Sequence, residues 1–169
     1  MGHQPYILGQ QFTVADASVY GQLSMNLIDP TTAAKLQRRA PRTYRWLLDI
    51  RDGKHRGATG PLQLSPALQP LLNIIMQTFT SLMAQNEAAW QRAITAGEVV
   101  FNEAAFDQGL ALYDGSLLGH PFRSVVKTFQ VRVWRDLQLS WRQLTDADRQ
   151  VLQAVLPDWQ LLSGTRKQA

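Results

Sequence analysis

Phe12-Thr13-Val14-Ala15-Asp16-Ala17-Ser18-Val19-Tyr20 sets a hydroxyl three residues ahead of a carboxylate, at the head of an apolar run. That spacing is a capping box: the Thr13 hydroxyl accepts from the Asp16 amide while the Asp16 carboxylate reaches back to the Thr13 amide. Two donors that a buried helix start cannot leave open are thereby satisfied. Losing either partner is expected to cost about 1 kcal/mol or more. Asp replaces the usual Glu or Gln, and Phe12 stands at the staple position with only the small Ala17 as its partner. The helix after the box, Val14 to about Leu27, carries Ala, Val, Leu, Met and Tyr on more than one face, which predicts a helix with protein on both sides.

Outward from this element the chain continues in helical punctuation. Asp29-Pro30 ends the first helix, Thr31 to Arg39 makes a second, and Pro41 opens a third through Trp46 to about Arg51. Gly53 to Pro61 lacks the strand and spacing of a phosphate-binding loop and reads as a connector. From Ser65 and Pro66 a longer helix recurs at Leu68, Leu71, Leu72, Ile75, Met76, Phe79, Leu82 and Met83. Asn86 to Ala96 and Glu98 to about Leu110 stay helical in composition, broken at Gly97. Asp114-Gly115, between Leu110-Ala111-Leu112-Tyr113 and Ser116-Leu117-Leu118, is the one hairpin signal.

After Gly119-His120-Pro121, a stripe of Val126, Phe129, Val133, Leu137, Trp141 and Leu144 predicts a helix from Ser124 to about Leu144. Val125, Phe129, Val131 and Val133 also alternate with polar residues, so a strand is the competing reading there. A last helix, capped by Thr145 or Asp146, ends at Pro157. The expected fold is an all-α, single-domain bundle over residues 1–169, with a possible short β-hairpin near residues 110–119 and a flexible basic tail at 163–169.

A chain of 169 residues can bury roughly 70% of its unfolded surface, enough for one core. Apolar residues at 45% and charged residues at 18% place it among ordinary globular proteins. No apolar run reaches the roughly 18 to 20 residues a bilayer crossing needs, and Met1-Gly2-His3-Gln4-Pro5 is no export signal, so a soluble cytoplasmic protein without membrane partners is expected. The absence of cysteine excludes disulfides, thiolate metal sites and a cysteine nucleophile. His3, His55 and His120 are scattered without ligand spacing, so no metal site is expected.

Charge is concentrated between Lys35 and Arg56, where Arg38, Arg39, Arg42, Arg45, Arg51 and Lys54 face only Asp49 and Asp52. Phosphate contact is one reading, but no aromatic platform, zinc spacing or reading helix accompanies the cluster, so nucleic acid is not the expected partner. The preferred reading is a solvated helical face whose arginine stems cover Tyr44, Trp46, Leu47 and Leu48.

Around the proposed hairpin gather Tyr113, His120, Arg123, Lys127, Gln130, Arg132 and Trp134. Arg123 suits a bidentate carboxylate contact, Tyr113 can donate, and Trp134 can supply an apolar wall, which makes Tyr113, Arg123 and Trp134 candidate substrate-binding residues. A packed ribbon with solvated basic side chains is the alternative, and Trp134, Trp141 and Trp159 suit a core. Thr13 and Asp16 are structural, and no catalytic residue is expected in the chain.

Pro5-Tyr6-Ile7-Leu8-Gly9-Gln10-Gln11-Phe12-Thr13-Val14-Ala15-Asp16-Ala17-Ser18-Val19-Tyr20-Gly21 resembles the glutathione S-transferase family where its chain enters the central helix of the C-terminal helical domain. In that family an apolar-Gly loop leads into a Ser/Thr-x-x-Asp box, and Pro41-Arg42 with Trp46 is similar to the proline-started helix that comes later. The resemblance covers Pro5 to about Arg51, so residues 1–52 form the family-like segment and 53–162 a helical extension. It implies that the complete protein conjugates glutathione, as co-substrate, to electrophilic small molecules. The family holds glutathione in an N-terminal thioredoxin-like domain that these residues do not include, so the chain itself needs no cofactor. Its expected partner is that domain or a second copy of the chain. A non-catalytic helical interaction or dimerisation module is the alternative function.

Overall fold

The computed structural model describes residues 4–164, so His3 and the last five residues of the expected tail lie outside the described residues. The chain is mostly helical with one small antiparallel sheet. It packs as two compact units, Met1–Gln69 and Pro70–Ala169.

In the first unit, α1 (Val14–Leu23) begins at the Thr13/Asp16 capping box and tightens into a 3-10 turn at Ser24–Leu27. Asp29 caps α2 (Pro30–Arg39) by accepting from the Thr32 amide at 2.9 Å, with Pro30 in the first turn where its missing N–H costs nothing. α3 (Pro41–Arg51) also starts on proline. It buries Trp46, Leu47 and Ile50 against Phe12, Val19, Tyr20, Leu23, Leu27 and Leu36, which is the core of this unit. Only one side of α1 enters that core. Val14 is 82% exposed, and Met25 and Ile28, in and just after the 3-10 turn, are 67% and 79% exposed, so the segment expected to be enclosed on both sides leaves apolar side chains bare.

The chain returns after α3 through a glycine-rich loop that pairs with the segment ahead of α1. Gln63 donates its amide to Leu8 at 2.9 Å and Gln10 to Pro61 at 3.3 Å. Gly9 permits this approach. Its φ is +114°, and a Cβ there would fall 2.5 Å from the Pro61 carbonyl oxygen.

The second unit opens within α4 (Gln69–Ile75), followed by a π turn at Met76–Thr80 and α5 (Ser81–Thr95). Met76 and Met83 of the expected core face are buried, and the extra residue of the π turn brings Thr80 and Asn86 inward with them. Leu71, Ile75 and Phe79, all expected inside, are exposed. The Thr80 hydroxyl donates to the Met76 carbonyl across the turn. Past Ala96 and Gly97 comes the short α6 (Asn102–Asp107).

The hairpin is present but its turn is not at Asp114-Gly115. β1 (Leu112–Leu117) pairs with β2 (His120–Val125) through Leu118-Gly119, with φ of 52° and 79° at the two turn residues, as a type I′ turn requires. Asp114 and Gly115 lie within β1, opposite Arg123 and Phe122. Gly115 is needed there for space, because a Cβ would meet Phe122 Cζ at 2.4 Å and Gln85 Oε1 at 2.6 Å.

β2 uses the first residues expected of the next helix, and α7 (Thr128–Gln143) begins later. Its buried face is Val131, Trp134, Gln138 and Trp141, whereas Phe129 is 64% exposed. Of the expected stripe, Val126 and Trp141 are buried and Val133 and Leu144 pack on the core, while Phe129 and Leu137 stay exposed and Val131, Trp134 and Gln138 take the inner face beside them. α8 (Asp146–Val155) is capped by Thr145, whose Oγ1 accepts from the Asp148 amide at 3.1 Å. A final turn, α9 (Gln160–Ser163), completes the unit. Two cores result: Ala89, Ala93, Ala105, Tyr113, Val125 and Val126 under the hairpin, and Met76, Met83, Trp134, Trp141 and Leu162 between helices.

Candidate functional site

Asp16 is the organising group of the first unit. It has no solvent exposure, yet both oxygens are occupied. Oδ2 accepts from the Thr13 amide at 2.9 Å and the Thr13 hydroxyl at 2.8 Å, and Oδ1 accepts from the Ile7 amide at 2.8 Å. A buried carboxylate is tolerable only with such a set of donors. The Ile7 bond extends the box beyond the helix start and fixes the segment that carries Tyr6.

That segment forms one wall of a cavity of about 370 Å³ with Gln4, Pro5 and Tyr6. α3 supplies a second wall through Arg42, Arg45, Trp46, Asp49 and Ile50, and Lys54 and His55 close it from the loop after α3. Arg42, Arg45, Trp46 and Asp49 stand at i, i+3, i+4 and i+7, so a single helix face presents them together. Phe12 lies behind the wall, its ring 5.7 Å edge-on from Tyr6 and 4.4 Å from His55.

The electrostatics of the cavity are uneven. Asp49 accepts from Lys54 Nζ at 2.7 Å and pairs with Arg45 Nε at 3.1 Å. The Lys54 hydrogen bond, reinforced by both cations, holds the Asp49 carboxyl below its ordinary range. Burial, helped by the charges of Asp16 and Asp49, pushes the Tyr6 phenol up, so Tyr6 keeps its proton and remains a donor at neutral pH. Two buried nitrogens on the cavity wall, Trp46 Nε1 and His55 Nδ1, have no hydrogen-bond partner among the described residues. An unpaired buried donor typically costs about 1–3 kcal/mol, which the packing of Trp46 against the core of this unit offsets.

The residues expected to bind substrate do not converge on one site. Tyr113 is 6% exposed and packs in the hairpin core, its ring 5.9 Å edge-on from Phe122. Burial pushes its phenol up against an opposing hydrogen bond with Ser124. Arg123 is exposed on β2, 3.7 Å from Asp114, and lines a cavity of about 280 Å³ with Glu103 and Lys127. Trp134, 1% exposed, sits in the other core and borders a different cavity of about 250 Å³ with Glu87 and Gln138.

No family model, curated protein or solved structure matches the chain. Among the described residues no helix is long and apolar enough to cross a membrane, and no cluster of three His or carboxylate side chains could hold a metal ion. The Tyr6/Trp46 cavity escaped sequence reading because Arg42, Arg45 and Lys54 look like a solvated face. The available signal was Trp46 on the same helix face as Arg42, Arg45 and Asp49.

Proposed function

We propose that this chain is the helical, small-molecule-binding part of a glutathione S-transferase-like protein, with the ligand held between Tyr6 and Trp46. The observation that carries the reading is the loop of Tyr6 and Ile7 pinned to the buried Asp16, with an open cavity between that loop and the proline-started α3. The sequence resemblance falls on the same residues. In the complete protein, glutathione would supply the thiolate that attacks an electrophilic carbon and displaces its leaving group. The work of this chain is to bind and orient the acceptor. Tyr6, Trp46 and Ile50 offer it an apolar surface, while the Tyr6 hydroxyl and the cations around Asp49 fix its polar end.

The reaction is tested on the protein isolated from its native source, at the length the cell makes. With glutathione and a chlorodinitrobenzene, thioether absorbance is expected to grow well above the uncatalysed rate. No acceleration at millimolar glutathione removes the transferase reading. One observation favours a second reading, a non-catalytic dimerisation module: the exposed apolar side chains of Val14 on α1 and of Met25 and Ile28 in the turn that follows it. A second copy covering that flank would show as a dimer in sedimentation, dispersed by Met25→Glu.

A further inference from the structure

The charges on the Tyr6/Trp46 cavity do not cancel. Arg42, Arg45 and Lys54 line it against a single carboxylate, Asp49. That carboxylate is already engaged, by Lys54 at 2.7 Å and Arg45 at 3.1 Å. Arg42 forms no ion pair among the described residues. Pro5, Tyr6 and Ile50 give the wall its apolar part beside the polar Gln4 and Thr43, and a cavity of about 370 Å³ is far larger than an inorganic anion needs.

From this arrangement we infer that the cavity selects an aromatic carboxylate: a flat apolar body lying against Tyr6 and Trp46, with its carboxylate taken by Arg42. A cationic ligand would meet three cations and an Asp49 that is already neutralised. A neutral ligand of the same shape could fill the apolar wall but would leave Arg42 in water. The planar guanidinium and the planar carboxylate match as a two-point contact, which an ammonium could not reproduce. Because Arg42 is exposed, its attraction is screened by salt, so selection for the anion weakens as ionic strength rises.

The inference rests on the reading that this cavity binds a small molecule at all, and the experiment separates the two. The chain contains five tryptophans, so its ¹H–¹⁵N spectrum has a small set of indole resonances in which Trp46 is identified by its loss in Trp46→Phe. The probes are naphthoate and naphthamide, one anionic and one neutral. Naphthoate is expected to shift the Trp46 resonance saturably, with a Kd at least tenfold below that of naphthamide. Arg42→Gln should bring the two within about threefold, while Lys35→Gln, a cation on α2 outside the cavity, should leave both unchanged. Equal affinity for the two probes, or a naphthoate affinity that survives Arg42→Gln, overturns the selection for an anion while leaving the cavity a binding site. A Trp46 resonance that neither probe moves overturns both.

Discussion

The side-chain amide of Asn86 pairs with the backbone of Lys127 as one peptide group pairs with another. Asn86 Nδ2 donates to the Lys127 carbonyl at 3.0 Å, and the Lys127 amide donates to Asn86 Oδ1 at 2.9 Å. Asn86 has no exposure, and the bond fixes α5 to the link between β2 and α7. Next to it, Gln85 makes the same two-way contact with Ser116 of β1, both bonds at 2.9 Å. Asn86→Ala would leave the Lys127 amide unpaired and its carbonyl with the Val131 amide alone, at 3.2 Å. It is expected to lower stability by about 1–3 kcal/mol, measured by urea unfolding. Gln85→Ala, whose partner groups can reach water, should cost about 1 kcal/mol.

Asp16→Ala strips partners from the Ile7 amide, the Thr13 amide and the Thr13 hydroxyl at once. A loss of about 3 kcal/mol or more is expected, since bonds to a charged acceptor are the stronger kind. Asp16→Asn keeps one acceptor oxygen and should cost less. Because Ile7 is the residue after Tyr6, ligand binding at Trp46 should weaken with Asp16→Asn even where the protein remains folded. Thermal unfolding alongside naphthoate titration reads both effects.

The hairpin register makes opposite forecasts for two neighbouring sites. Gly115→Ala drives a Cβ into Phe122 and Gln85 and is expected to destabilise by about 1–3 kcal/mol. Leu118→Asn places a residue tolerant of left-handed backbone where φ is 52°, at an exposed position, and should stabilise by about 0.5 kcal/mol or more. A turn at Asp114-Gly115 would reverse this order, so denaturant midpoints of the two variants decide the register.

Asp49 gives a pH dependence with a definite sign. Its carboxyl is held below the ordinary aspartate value of 3.8 chiefly by the Lys54 hydrogen bond. A depressed folded-state value means that the pair's contribution is complete above the unfolded value and fades as pH falls through the folded one. The contribution should therefore fade below about pH 4, and with a side chain 36% exposed it should stay under about 1 kcal/mol. Lys54→Met should return the Asp49 carboxyl toward its ordinary value in a ¹³C titration and flatten stability in that acid window.

Legibility in the sequence depended on which interactions are local. The Thr13/Asp16 box, the proline starts of α2 and α3, and the Thr145 cap are set by residues within one turn of each other, and sequence spacing reads them directly. The hairpin was visible as a composition, but its turn was not. Asp114-Gly115 carries the stronger turn signal, and what overrides it is the contact of Gly115 with Phe122 and Gln85, the latter about thirty residues away in sequence. The inward face after Ile75 depends on a π turn that no periodicity announces. The cavity needed the tertiary bond from Ile7 to Asp16, and only that bond turns a basic helix face into one wall of a site. Tyr113, Arg123 and Trp134 are near in sequence, but alternation along a strand and rotation about a helix sent them to a core, a surface and another core.

Each core cluster takes all its members from one side of the boundary between Gln69 and Pro70: Trp46, Leu47 and Ile50 before it, and those under the hairpin and beside α7 after it. Heat or denaturant therefore acts on separate stocks of buried surface, one kind in each half of the chain. A chain cut at that point divides no hydrophobic cluster. Selection or a protein engineer can then discard, duplicate or exchange either half as a module, leaving the interior of the other intact.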